Sequence, residues 1–139
     1  MTLYVDTSTI IKLLIEEPGS ARAKQIWLSA DDVISAKIVA VEAHAALAAA
    51  RRARRLNSAE YRKAVGELNK ILAQMTMIDI TDDLVEQAIP LTDRDALRGY
   101  DAIHLAAALL AGVDTLTSSD TDLCAAAHRN GLHVANPTP

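Results

Sequence analysis

Leu3-Tyr4-Val5-Asp6-Thr7-Ser8-Thr9-Ile10-Ile11 opens with an apolar run, then an acid, three hydroxyl residues and a second apolar run. The first run reads as a buried strand, since apolar residues without polar alternation suit a strand covered on both faces. Thr7, Ser8 and Thr9 supply N-cap candidates for a helix through Ile10, Ile11, Leu13, Leu14 and Ile15. A strand that ends in an acid and passes directly into a helix is the opening of a βα unit, and the same alternation continues along the chain.

Glu16-Glu17-Pro18-Gly19-Ser20 breaks the first helix, and Ser20 caps a second that runs to about Ser29. Asp31-Asp32 is a turn, and residues 33–35 form a second strand. An Ala-rich helix is expected over 38–55. After the turn Leu56-Asn57-Ser58, a further helix capped by Ser58 runs to about Gln74, without the reciprocal acid of a capping box. These two long helices make an αα-hairpin between strands. Residues 77–80 read as a third strand, followed by a helix from Thr81 that Pro90 ends or kinks. A helix from Asp101 to about Ala111 stops at Gly112. Residues 115–117 form a fourth strand, 118–122 a loop and cap, 123–130 a helix closed by Gly131, and 132–135 a fifth strand. The tail, 136–139, is expected to fray. Short apolar strands alternating with helices imply a parallel sheet covered on both faces, an α/β sandwich in one domain spanning 1–139.

Composition agrees with a soluble globular chain: of 139 residues, 50% are hydrophobic and 23% charged. Tyr4, Trp27, Tyr61 and Tyr100 are the only aromatics, so the core is built from Ala, Leu, Ile and Val. Cys124 is the single cysteine, which excludes an intramolecular disulfide and suits a reducing compartment. It lies on a helical core face and reads as a small buried hydrophobe. No apolar run is long enough to span a bilayer and the start lacks a signal-peptide pattern, so no membrane role and a cytoplasmic location are expected. The net charge of −4 argues only weakly against a nucleic-acid partner, because Arg51, Arg52, Arg54 and Arg55 form one basic block.

Four acids stand out. Asp6 ends the first strand, Asp120 follows the fourth, Asp101 begins an otherwise apolar helix, and Glu42 is the only acid in the Ala-rich stretch. In α/β folds, ligands bind beyond the carboxyl ends of strands near a switch in strand order. Taken singly, each acid has an ordinary explanation: Asp6 and Asp120 as helix caps, Asp101 as a partner of the helix dipole, Glu42 as a solvated helix residue. Taken together, converging carboxylates repel one another, and a hard divalent cation such as Mg2+ or Mn2+ relieves that repulsion. Such a site suits phosphodiester hydrolysis, which needs an activated water and shielding of phosphate charge.

These contexts resemble the PIN-domain family, and within it the VapC-type toxins of toxin–antitoxin pairs. Tyr4-Val5-Asp6-Thr7-Ser8 resembles the family's opening strand and first acid; Ser35 followed by Val41-Glu42 its second motif; Arg98-Gly99-Tyr100-Asp101-Ala102-Ile103-His104-Leu105-Ala106 its third; and Thr117-Ser118-Ser119-Asp120-Thr121-Asp122-Leu123 its fourth. The match in order and spacing covers essentially the whole chain. The resemblance implies a PIN-like α/β/α sandwich around a mainly parallel five-stranded sheet. It also implies a homodimer and a divalent-metal endoribonuclease restrained by a VapB-like antitoxin. Asp6, Glu42, Asp101 and Asp120 carry over as the acidic quartet, with Ser8 and Thr117 as hydroxyls supporting them. Asp122 either holds a water or caps at the surface.

Arg98, beside Asp101, is a candidate site-facing base for RNA, and Lys12 on the first helix is another. The arginine block is open between RNA contact, a solvated helix end and an antitoxin surface. With few aromatics, recognition of tRNA or rRNA would rest on shape and backbone contacts. His104 follows Asp101 by three residues on the same helical side; a hydrogen-bonded core or interface histidine suits it better than a metal ligand or base. Apolar stripes in the first two helices are either core or a groove for an antitoxin helix, whose arginine would reach the acids. The alternative function is a catalytically silent PIN-fold binding module acting through its antitoxin complex. A phosphotransfer site with Asp6 as nucleophile wants a second Asp two residues on, where this chain has Ser8.

Overall fold

The computed structural model describes residues 1–139 and alternates strands with helices. In order these are β1 (Thr2–Val5), α1 (Thr7–Leu14), α2 (Ser20–Ser29), β2 (Asp32–Ala36), α3 (Ile38–Arg52), α4 (Ser58–Gln74), β3 (Thr76–Ile78), α5 (Asp82–Arg94), α6 (Gly99–Ala111), β4 (Thr115–Thr117), α7 (Thr121–Arg129) and β5 (His133–Ala135). The strands form one sheet in the order β3-β2-β1-β4-β5, and every pairing is parallel. The chain therefore winds outward from β1 through β2 and β3, then crosses to the other side for β4 and β5. That switch lies between β1 and β4, where the register sets Val5 beside Thr117.

Strand alternation divides the core into two layers. Leu3, Val5 and Val33 face one side, with Ile10, Ile11 and Ile15 of the α1 region, Ile26 of α2, Val39, Ala43 and Leu47 of α3, and Leu68 of α4. Tyr4, Ile34 and Leu116 face the other, against Leu84 of α5, Leu105 of α6 and Leu123 of α7. Alanines at 102, 106, 107 and 108 let α6 approach the sheet closely. The expected α/β/α sandwich is the observed one.

The differences are local. Asn57, not Ser58, caps α4: its side chain accepts from the Glu60 amide while Glu60 reaches back to the Asn57 amide, a complete capping box. Helix α3 ends at Arg52, because Arg54 takes a left-handed conformation (φ 60°) that turns Leu56 back into the core. Strand β3 stops at Ile78, and Lys37 pairs with Asp79 beyond it. Pro90 does not end α5, which continues to Arg94. Pro90 and Glu86 both lie on the exposed side, where water serves the carbonyl that proline leaves unbonded, and buried Leu91 holds the last turn to the core. Helix α7 begins at Thr121 rather than Leu123. In the tail, Pro137 is buried, its carbonyl against Gly19.

Candidate active site

Asp6 occupies the N-cap position of α1, yet its side chain makes no cap hydrogen bond. Its amide continues the β1–β4 pairing by donating to the Thr117 carbonyl at 3.0 Å. The buried carboxylate is held instead by hydroxyls: Oδ2 accepts from Ser118 at 2.6 Å and from Ser8 at 2.9 Å. Ser8 and Ser118 are themselves tied into the loop after β4, accepting from the amides of Ser119 and Asp120 respectively. A charged group taken from water needs such donors.

Glu42 projects from the first half of α3. Its Oε1 accepts from Thr7 Oγ1 at 3.1 Å and lies 2.6 Å from His104 Nε2. The same imidazole nitrogen is 3.7 Å from Asp6 Oδ1. Asp120 does cap α7, its Oδ1 accepting from the amides of Asp122 and Leu123, while Oδ2 faces Arg98 at 3.2 Å. Asp101, in the first turn of α6, accepts from Nε of the same guanidinium at 3.2 Å. Asp6 and Glu42 thus each commit one oxygen to fixed protein donors and leave the other without a hydrogen bond, whereas Asp120 has one oxygen on the α7 amides and the other on Arg98. Asp101 is held only by Arg98, whose side chain is 80% exposed.

Burial and the charges of Asp120 and Asp6 push the Asp101 carboxyl above its ordinary range, outweighing the opposing pull of Arg98. Burial alone would lower His104, but the Glu42 hydrogen bond and the charges of Asp6, Glu42 and Asp101 raise it overall. Burial, with Asp120 and Asp6 behind it, pushes the Cys124 thiol up to about 11; the residue is half-buried rather than buried in the core, and its thiol donates to the Ser118 carbonyl at 3.3 Å.

All four acids are therefore linked at the carboxyl ends of β1 and β4. No three acidic, histidine or cysteine side chains stand close enough to hold an ion as they are placed. Arg98 spans Asp101 and Asp120, and Glu42 is drawn to His104, which accounts for the spacing. The donor set still fits a hard divalent cation: it is all carboxylate, with an unbonded oxygen on Asp6 and on Glu42, while Asp101 and the second oxygen of Asp120 are engaged only by an exposed arginine.

Thr117 does not support an acid through its hydroxyl, which meets Thr9 at 3.1 Å; Ser118 fills that role. Asp122 is an exposed acid in the first turn of α7, with only its amide bonded toward the site. Lys12 is not among the acids. Its ammonium pairs with Glu17 at 2.9 Å, and Arg55 closes on the same Glu17. Ser118, Thr7 and Tyr4 were not singled out from sequence; only their places beside the acid-bearing motifs marked them. The apolar stripes of α1 and α2 turn inward, whereas an open groove of about 660 Å³ lies between α5, α6 and the start of α3. Ile80, Val85, Ile89 and Tyr100 line it, and Glu42 and Asp101 stand at its edge.

The PIN domain family model matches residues 3–129 of the chain, and the chain belongs to that family. Over 135 residues it is 36% identical to Ribonuclease VapC45 of Mycobacterium tuberculosis (strain CDC 1551 / Oshkosh), covering 96% of this chain and 94% of that protein. Among solved structures, Mycobacterium tuberculosis VapC20, described as a sarcin-ricin loop cleaving toxin, matches with TM-score 0.68 at 24% identity, covering 89% of this chain and 94% of that one. A toxin–antitoxin complex from Klebsiella pneumoniae matches with TM-score 0.67 at 21% identity, covering 99% and 98% respectively. At those identities the structural likeness speaks for the fold.

Proposed function

We propose that this chain is the toxin of a toxin–antitoxin pair, a divalent-metal-dependent endoribonuclease that hydrolyses phosphodiester bonds of tRNA or rRNA in the cytoplasm. The observation that carries this reading is the linkage of Asp6, Glu42, Asp101 and Asp120 at one switch point, two of them, Asp6 and Glu42, with an oxygen free of hydrogen bonds. Similarity to a ribonuclease along nearly the full length of both chains supports it.

Asp6, Glu42, Asp101 and Asp120 would hold Mg2+ or Mn2+. When bound, the ion supplies Lewis acidity, shielding phosphate charge and acidifying the attacking water. The chain's own residues prepare that site. Ser8 and Ser118 orient the Asp6 carboxylate, and the α7 N-terminus does the same for Asp120. Arg98 is the mobile charge: released from Asp101 and Asp120, its guanidinium can pair with a phosphate of the incoming strand.

The partners follow from the same reading. An antitoxin arginine reaching the quartet would neutralise it, and a second copy of the chain would pack its Ile89–Tyr100 groove against this one. Substituting Ile89→Asp should convert a dimer into a monomer by light scattering; a dimer that persists would place the interface elsewhere. No helix is long and apolar enough to cross a membrane.

The deciding experiment is cleavage of a mixed tRNA and rRNA pool by antitoxin-free protein with Mg2+, with Mn2+ and with chelator, beside Asp101→Asn. Metal-dependent cleavage lost in the variant is the expected result. Cleavage that survives chelation, or that Asp101→Asn retains, would refute the carboxylate mechanism.

A further inference from the structure

A buried hydrogen-bond chain reaches Glu42 from inside the protein. It starts at the backbone of β2, where the Ala36 amide lies 3.0 Å from the Tyr4 hydroxyl. Tyr4 Oη is 2.6 Å from His104 Nδ1, and His104 Nε2 is 2.6 Å from Glu42 Oε1. Tyr4 and His104 are fully buried, with their rings packed edge to face.

An amide N–H can only donate, so the Tyr4 oxygen accepts from Ala36. With the imidazole neutral, Tyr4 gives its own proton to His104 Nδ1; with it protonated, Nδ1 donates to the Tyr4 oxygen. In both forms Nε2 carries a proton and donates a hydrogen bond to Glu42. A histidine present merely to fill the core would need no particular terminus. This one ends on a carboxylate of the quartet and has Asp6 Oδ1 3.7 Å from the same nitrogen. Glu42 needs such a hold, because its flexible side chain otherwise has only the Thr7 hydroxyl to keep it from swinging toward water. With Oε1 engaged from behind, Oε2 is left for a ligand.

We propose that Tyr4 and His104 are positioning residues that fix the Glu42 carboxylate for a divalent cation, without touching cation or RNA themselves. This rests on the metal-site reading given above. Partners that orient a ligating carboxylate typically change metal affinity by about 10–100-fold when removed.

The test is Mn2+ binding by antitoxin-free protein, measured as loss of the free-ion electron paramagnetic resonance signal, with thermal melts in chelator to confirm folding. His104→Gln keeps an N–H donor near the Nε2 position; His104→Asn keeps a polar group opposite Tyr4 but is too short to reach Glu42. Mn2+ affinity should fall about tenfold or more in His104→Asn and stay within about threefold of wild type in His104→Gln. Tyr4→Phe, which removes one hydroxyl and keeps the ring, should weaken Mn2+ severalfold, and it decides the matter if the His104 variants do not fold. Folded variants that all bind Mn2+ like wild type overturn the positioning role, as does equal loss in the Gln and Asn variants. A wild-type protein that binds no Mn2+ while Glu42→Gln behaves identically overturns the metal-site reading and the proposal with it.

Discussion

Replacing Ser118 with alanine tests whether the Asp6 carboxylate is held by side-chain hydroxyls rather than by a helix cap. Ser118 Oγ donates to Asp6 Oδ2 at 2.6 Å and accepts from the Asp120 amide at 3.0 Å, and the residue is fully buried. A hydrogen bond to a charged group contributes about 1.5–3 kcal/mol, and a buried amide left unpaired costs about 1–3 kcal/mol. Water reaches Asp120, which is partly exposed, so the second loss is recovered in part and the net destabilisation should be about 2–4 kcal/mol. With an unfolding entropy of about 2.1 cal/mol/K per residue over the 139 residues, that lowers the melting temperature by about 7–14 °C. The assay is a thermal melt at neutral pH in chelator, repeated for Asp6→Asn and for the double variant. Because Asn keeps the acceptor but not the charge, the cycle isolates the charge-assisted part, and a coupling of about 1 kcal/mol is expected. A Ser118→Ala protein melting within about 2 °C of wild type, or a cycle additive to within about 0.3 kcal/mol, would refute the claim that this hydroxyl holds the Asp6 carboxylate.

Asp101→Asn should raise the melting temperature of the chelated protein at neutral pH. The folded state lifts the Asp101 carboxyl above its unfolded value, so stability from this group is lost as pH rises from the unfolded value through the folded one, and the deficit persists above. The gain in the variant should therefore shrink as pH falls into the ordinary carboxylate range; a gain that is constant with pH, or a loss, would contradict the argument. Added Mn2+ should stabilise wild type by about 2.7 kcal/mol at a hundred times its Kd and the variant far less, read as a shift in the melt. Arg98→Ala should bind Mn2+ at least as tightly as wild type, because the guanidinium no longer occupies Asp101 and Asp120, while KM for RNA rises severalfold. Weaker Mn2+ binding in that variant would show that Arg98 organises the carboxylates rather than competing for them.

The layers of the fold were legible because each strand is a short apolar run next to a helix with its own cap or stop. The departures from the sequence pattern are of two kinds, local signals displaced by a residue or captured by a near neighbour, and contacts that only the tertiary fold sets. Pro90 terminates a helix by local sterics, but exposed Pro90 beside buried Leu91 leaves the backbone loss to water and the packing to the core. The capping box at Asn57 was missed by one residue, and the acid that identifies it, Glu60, sits three positions on. Lys12 is on the right helix for the site, yet Glu17 in the break that follows captures it.

The candidate site shows the same division more sharply. The ordinary explanations for its acids were local, and the structure answers them one by one. Asp120 is a cap, but with one oxygen only. Asp6 stands in a cap position without capping. Asp101 sits in the first turn of α6, where the helix dipole favours an anion, and is nonetheless held above its ordinary range by burial and its acidic neighbours. The supporting residues depended on register. Parallel pairing sets Val5 beside Thr117, so the next residues, Asp6 and Ser118, are neighbours beyond the strand ends, while the alternation of side chains turns Thr117 toward Thr9. Ser118 rather than Thr117 supports Asp6 because of a one-residue step in a pairing invisible along the chain. His104 was legible as a hydrogen-bonded histidine on the Asp101 helix, but not its partners, which come from β1 and α3. Local pattern can identify the groups that carry charge; the groups that keep that charge in place are chosen by the tertiary fold.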